Sequence, residues 1–183
     1  RGKWVLKEQY KNDNLTFNFD SLSLTDPQDQ GGLGLNIKDI TYNGTKFIIG
    51  DGMSEDDSYF GESDAQFQVA NHSYTINADV EIKTDGNLLA QSPSYINGNV
   101  TINGSEQGGG SLEVYNIWGA NGSLSIDGTL NSNYGYFTIA DSNRKGGLLH
   151  VSGDVSLNDT TFRVITQSLS NLAFSDYELI RSD

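Results

Sequence analysis

Two histidines, His72 and His150, and 24 Asp and Glu side chains are the groups in this 183-residue chain best suited to moving protons or holding a metal. There is no Cys, and therefore no thiolate nucleophile, no disulfide framework and no zinc site of the cysteine type. A serine hydrolase needs Ser, His and a carboxylate in mutual reach, with the Ser on a turn such as Gly-x-Ser-x-Gly or Gly-Asp-Ser-Gly; neither turn occurs. His150 stands in LLHVSG between apolar Leu149 and Val151, so alternation turns it toward solvent, and His72 stands in a polar NHS turn. Asp79, Asp127 and Asp154 occupy similar places in a repeating pattern, so they would stack on neighbouring repeats. Paired carboxylates about 5 to 9 Å apart across a groove hydrolyse glycosides. Aspartates in such places also serve as turn residues that bond backbone, and that is the expected role here.

The signals for calcium are incomplete. GGLGLNI, residues 31–37, has the form of one nonapeptide of a calcium-binding roll, but Asn36 replaces the needed Asp and no second copy follows to complete a site between turns. DSNRKG, residues 141–146, begins like an EF-hand loop, yet Lys145 falls at a ligand position and Ser152 where the bidentate Glu belongs. Glu55, Asp56 and Asp57 form a solvated charge run. No catalytic residue, metal or cofactor is therefore expected. Binding candidates are aromatic: Tyr95, Tyr115, Trp118, Tyr134 and Tyr136, beside Phe137, lie between or at the ends of strand-like runs. Such rings give large, rigid contact area at low entropy cost, although interior stacks would use them equally well.

The net charge is -13, with 11 Lys and Arg, none clustered. That balance excludes phosphate-backbone recognition, which depends on clustered cations releasing counterions, and leaves nucleic acid and anionic membrane surfaces aside. No apolar stretch approaches the roughly 18 residues of a spanning helix, and no signal-peptide pattern opens the chain. Arg1 at the start, and Asp183 directly after a strand-like run, read as the limits of a piece cut from a longer polypeptide.

The elements that must position these groups are strands. No window keeps a helical stripe, whereas period two recurs at Leu15, Phe17 and Phe19, at Val80 and Ile82, at Val100 and Ile102, at Leu124 and Ile126, and at Val155 and Leu157. Asn-Gly at Asn43, Asn97, Asn103 and Asn121, and Asp-Gly at Asp51, Asp85 and Asp127, supply turns between them. Four segments share the pattern apolar, small polar, Gly or Ala, polar, apolar: INADVEI from Ile76, INGNVTI from Ile96, IDGTLNS from Ile126 and VSGDVSL from Val151, with starts 20, 30 and 25 residues apart. A second pattern, Gly then Leu two residues on, falls at Gly86, Gly110, Gly122 and Gly147, at intervals of 24, 12 and 25. Strands repeating at this period without helices suit a parallel β-helix of about seven rungs, in which each coil is three short strands. A β-sandwich or jelly roll closed by Asn-Gly hairpins is the alternative. Residues 75–183 carry the regular repeats. Residues 1–74 form less regular rungs of the same continuous domain: LNIKDITYNGTKFIIGDG, residues 35–52, reads as two or three strands with turns, and residues 54–65 as an exposed loop. Ser105–Gly110 is an insertion that protrudes from a corner. Asn-x-Ser/Thr triplets at Asn14, Asn43, Asn71, Asn99, Asn103, Asn121 and Asn158 read as turn and ladder chemistry, with stacked Asn side chains bonding along the axis.

GGLLHVSGDVSLNDTTFRVI, from Gly146 to Ile165, and FSDYELIRS, from Phe174 to Ser182, resemble the passenger domains of Gram-negative autotransporters, the type V secreted proteins. IWGANGSLSIDGTLNSNYGYFTIADS, from Ile117 to Ser142, is similar to the vacuolating-cytotoxin-like group among them. The resemblance covers about the last 110 residues with loosely specific motifs. It implies a right-handed parallel β-helix, exported through the periplasm to the bacterial cell surface or secreted, with a C-terminal β-barrel translocator outside this segment. It also implies a non-enzymatic scaffold acting as an adhesin or virulence factor, whose partners are a host-cell glycan or protein receptor or a neighbouring bacterial surface. Absence of Cys fits that route, since a periplasmic disulfide would hinder threading through a pore. A toxin module that assembles into homo-oligomers through open ends is one alternative, and a β-helix polysaccharide lyase or hydrolase the other.

Overall fold

The structure, a computed structural model, describes residues 15–18, 21–24, 33–35, 40–50, 52, 65–69, 73–116, 122–141, 148–166 and 180–182. Among them the chain is all-β, with nineteen strands and no helix. In order these are β1 (Leu15–Asn18), β2 (Ser21–Leu24), β3 (Leu33–Leu35), β4 (Ile40–Ile49), β5 (Ala65–Val69), β6 (Tyr74–Ile82) and β7 (Gly86–Ala90). There follow β8 (Pro93–Ile96), β9 (Val100–Ile102), β10 (Gly104–Ser105), β11 (Gly108–Gly109), β12 (Ser111–Asn116) and β13 (Ser123–Ile126). The last are β14 (Leu130–Asn133), β15 (Tyr136–Asp141), β16 (Leu148–Val151), β17 (Val155–Asn158), β18 (Thr161–Thr166) and β19 (Ile180–Ser182). Alternation decides their two sides: in β6, Tyr74, Ile76, Ala78, Val80 and Ile82 are buried, and the residues between them are not.

Eleven strands form one sheet and six another. The pairings within both are parallel, and the antiparallel pair among the described residues is β10 with β11. The larger sheet forks at its two long strands. Over its first part β6 pairs Thr75 and Ile76 with Tyr95 and Ile96 of β8, and over its second part Val80 and Ile82 with Val100 and Ile102 of β9. From β8 that ladder runs on through β13 and β16 to β19, and from β9 the other runs through β14 to β17. On the far side β4 makes the same fork with β1 and β2.

The four repeats lie in register. Ile76, Ile96, Ile126 and Val151 pair successively in one ladder, and Val80, Val100, Leu130 and Val155 in the other. The Gly-x-Leu pattern belongs to two different ladders: Leu88 pairs with Leu112 in the six-stranded sheet, and Leu124 with Leu149 in the larger one. Its odd 12-residue interval is the passage from one sheet to the other. One expectation is corrected at β4. Asn43–Gly44 does not turn the chain; ten residues run through as a single strand whose register shifts between Asn43 and Lys46. The Tyr42 hydroxyl donates to the Lys46 carbonyl at 2.8 Å and closes this bulge, a contact no local pattern announces.

The core lies between the two sheets as one apolar cluster. At one end Tyr42, Phe47, Phe67 and Tyr74 meet edge to face in succession, with centroids 5.1, 4.9 and 5.2 Å apart. At the other, Phe137 stacks on Phe162 at 5.1 Å. Buried Ser94 fills a polar point in the interior: its hydroxyl accepts from Tyr74 N at 3.2 Å and donates to the Ser92 carbonyl at 3.0 Å.

Candidate contact surface

The corner between the two ladders of the larger sheet is built from the middle of each repeat. Neighbouring backbones stack closely there: a Cβ at Gly98 would overlap the Ala78 carbonyl oxygen, and one at Gly128 the Gly98 carbonyl oxygen. Side chains on either side of the glycine tie the corners together. Asn77 Nδ2 donates to Asn43 Oδ1 at 2.6 Å, Asn97 Nδ2 to Asn77 Oδ1 at 2.6 Å, and Ser152 Oγ to Asp127 Oδ1 at 2.9 Å. In the next column Asn99 N donates to Asp79 Oδ1 at 2.8 Å, and Thr129 N to Asn99 Oδ1 at 3.0 Å. Asn158 Nδ2 reaches Asn133 Oδ1 at 3.1 Å at the following corner. The expected axial stacking of Asn is present at these positions.

The three aspartates do not share a place. Asp127 follows the strand pair of Ile96 and Ile126, in the column of Asn97, whereas Asp79 and Asp154 precede Val80 and Val155, in the column of Asn99 and Thr129. Asp79 and Asp127 each spend a carboxylate oxygen on a corner bond. Among the described residues no group of three or more His, Asp or Glu is placed to hold a metal ion. His150 lies half-buried between fully buried Leu149 and Val151, on the side of β16 away from the core. Residues 142–147, His72 and the run Glu55, Asp56 and Asp57 lie outside the described residues.

The aromatic candidates do not form one line. Tyr95, 47% exposed, stands on the outer side of the larger sheet in a column with Thr41, Thr75, Ser125 and His150. Tyr136 belongs to the six-stranded sheet, in register with Ser111 and Thr161, and Tyr115 is paired there with Ala140. Tyr134 occupies a corner with φ of 54°, one repeat before Asp159 with φ of 47°. Trp118 and the loop of residues 54–64 lie outside the described residues. The outer side of the six-stranded sheet is withdrawn from water at its centre: Leu89, Glu113 and Thr138 share a column opposite the core, and all three are buried. Among the described residues, Tyr95 on the outer side of the larger sheet and the tip of the insertion are accessible.

That insertion is a small hairpin. β10 and β11 pair Gly104 with Gly109 and Ser105 with Gly108, leaving Ser105, Glu106 and Gln107 exposed. Its glycine run is a packing requirement, since a Cβ at Gly109 would overlap the Tyr134 carbonyl oxygen and one at Gly110 would lie 2.6 Å from the Lys83 carbonyl oxygen. Two further exposed apolar residues escaped the sequence reading. Leu157 and Phe162 are 37% and 38% exposed, although their ladder partners Ser132 and Phe137 are buried. Alternation assigns both to the core side, and period alone does not reveal that β17 and β18 are the outermost strands of their ladders among the described residues. Searches against protein-family models, curated proteins and solved structures found no match to this chain.

Proposed function

We propose that the chain is a stretch of right-handed parallel β-helix serving as a non-enzymatic autotransporter passenger segment, displayed on or released from a bacterial surface. It acts by contact with host cells or neighbouring bacteria, through a glycan or protein receptor. The observation that carries this reading is the in-register stacking of the four repeats, with Asn, Asp, Ser and Gly committed to the corners that join neighbouring strands. A sandwich would pair the strands flanking Asn97–Gly98 with each other as a hairpin. Here β8 and β9 instead each pair in parallel with β6. Two of the three carboxylates considered for a polysaccharide-cleaving site, Asp79 and Asp127, bond within the same corners, which favours a scaffold. Contact is assigned to Tyr95 and the Ser105–Gly110 hairpin.

Glu106→Ala and Gln107→Ala, at the exposed tip of the hairpin, together with Tyr95→Ala should weaken cell or glycan binding at least tenfold while the β-type circular dichroism stays unchanged. Unaltered binding by that variant sinks the assignment, and turnover of an acidic polysaccharide by the parent chain sinks the non-enzymatic reading. A toxin module that oligomerises is the second reading. The observation favouring it is the outermost pair β17 and β18, where core-side Leu157 and Phe162 meet solvent. A monodisperse monomer in sedimentation would remove it.

A further inference from the structure

We propose that Asn97–Gly98 is a deamidation site held shut by the side-chain ladder of the corner. In an Asn-Gly pair the glycine backbone nitrogen, with no side chain beside it, attacks Asn Cγ. The glycine N–H proton is lost as the new N–Cγ bond forms, the bond from Cγ to the side-chain nitrogen breaks, that NH2 group takes up a proton and leaves as ammonia, and a five-membered succinimide remains. Water then opens that ring to Asp or to isoaspartate, so an amide is exchanged for a carboxylate and no oxidant or reductant is needed.

The corner accounts for both members of this reactive pair. Glycine is required at 98 because any Cβ would overlap the Ala78 carbonyl oxygen, and the amide at 97 supplies the donor to Asn77. The fold therefore places a labile dipeptide at an exposed position. It also supplies the restraint. Asn97 Nδ2 is held on Asn77 Oδ1 at 2.6 Å, and Asn97 N on the Ile76 carbonyl at 2.8 Å. The side-chain amide is thus tied to the neighbouring repeat, and its departure as ammonia requires that bond to open.

Conversion would be damaging as well as irreversible. Asn77 would lose its donor, and the new carboxylate would stand next to Asp127, the residue that follows Ile126 where Asn97 follows Ile96. Adjacent positions on paired strands are about 4.8 Å apart, close enough for two like charges to oppose the stacking. Asn103–Gly104 offers an internal comparison, because its Nδ2 is held by a different partner, Glu81 Oε1, at 3.0 Å.

The test is peptide mapping by mass spectrometry after incubating the chain at mildly alkaline pH. In the native chain Asn97 should deamidate at least tenfold more slowly than in the same chain in denaturant. Asn77→Ala should speed conversion at Asn97 severalfold with Asn103 unchanged, and Glu81→Ala should do the reverse. Asn77→Asp, which keeps an acceptor oxygen for Asn97, should stay within about twofold of the parent rate. If Asn77→Ala loses its β-type circular dichroism, Asn77→Thr replaces it, since a β-branched residue suits the strand and its shorter side chain withdraws the acceptor. Equal acceleration of both sites by either variant would assign the protection to global stability and overturn the proposal. So would native Asn97 converting as fast as denatured.

Discussion

Tyr74 shows what one buried atom imposes on the whole chain. Its ring closes the aromatic series with Phe67, yet its hydroxyl is buried with no hydrogen-bond partner among the described residues. Burial pushes its ionisation well above the ordinary value of 10.0, so the folded state keeps Tyr74 neutral in alkali. Above pH 10 the unfolded chain releases that proton and the folded chain does not. The unfolded state then binds fewer protons, and stability falls as pH rises. Tyr74→Phe should therefore be neutral or stabilising by about 1 kcal/mol at pH 7. It should also flatten the alkaline decline by up to tenfold in the folding constant per pH unit, as read by denaturant titrations at pH 9 and 11. A Tyr74→Phe chain that is destabilised, with an unchanged alkaline slope, contradicts this account. Alternation announces that Tyr74 faces inward, since Ile76 and Val80 do. It is silent on whether the hydroxyl meets an acceptor, because that depends on residues brought in from another sheet. The corner asparagines were legible for the opposite reason: one repeated requirement recurs at Asn77 and Asn97.

At the level of the strand, position in the ladder sets the cost of losing a core side chain. Leu130 sits between β9 and β17 and is fully buried, whereas Leu157 lies on outermost β17 and is 37% exposed. Leu130→Ala should cost about 3 kcal/mol and Leu157→Ala less than about 1 kcal/mol, measured by urea unfolding. Equal losses would mean that Leu157 is covered in solution. Strand existence was readable from period two, and the repeat starts Ile96, Ile126 and Val151 coincide with one ladder. The course of β4 was not readable, because Asn43–Gly44 has the composition of a turn and becomes a bulge through the hydroxyl of Tyr42. The Gly-x-Leu spacing was visible, but its division between two sheets was not, since both ladders make the same local demand.

On the scale of the molecule, two parallel sheets enclose one core, and among the described residues Tyr95 stands exposed on the outer side of the larger. The sequence names the binding aromatics at strand ends without saying to which sheet each belongs. The structure separates Tyr95 from Tyr115 and Tyr136, because the chain crosses to another sheet between them. Burial of Leu89, Glu113 and Thr138 on the side away from the core was hidden as well, since alternation marks two sides of a strand without saying what covers the outer one. The account rests on residues one repeat apart being neighbours, and a chain without Cys permits a direct measurement. Thr101 pairs with Asn131, and Asn131 in turn with Ser156. Adjacent parallel strands place paired Cα atoms within the roughly 4.4 to 6.8 Å that a disulfide spans, and strands two apart do not. Under mild oxidation, Thr101→Cys with Asn131→Cys should close an intramolecular disulfide in the monomer, and Thr101→Cys with Ser156→Cys should not. An open 101/131 pair, or a 101/156 pair that closes as readily, would contradict the stacked parallel architecture.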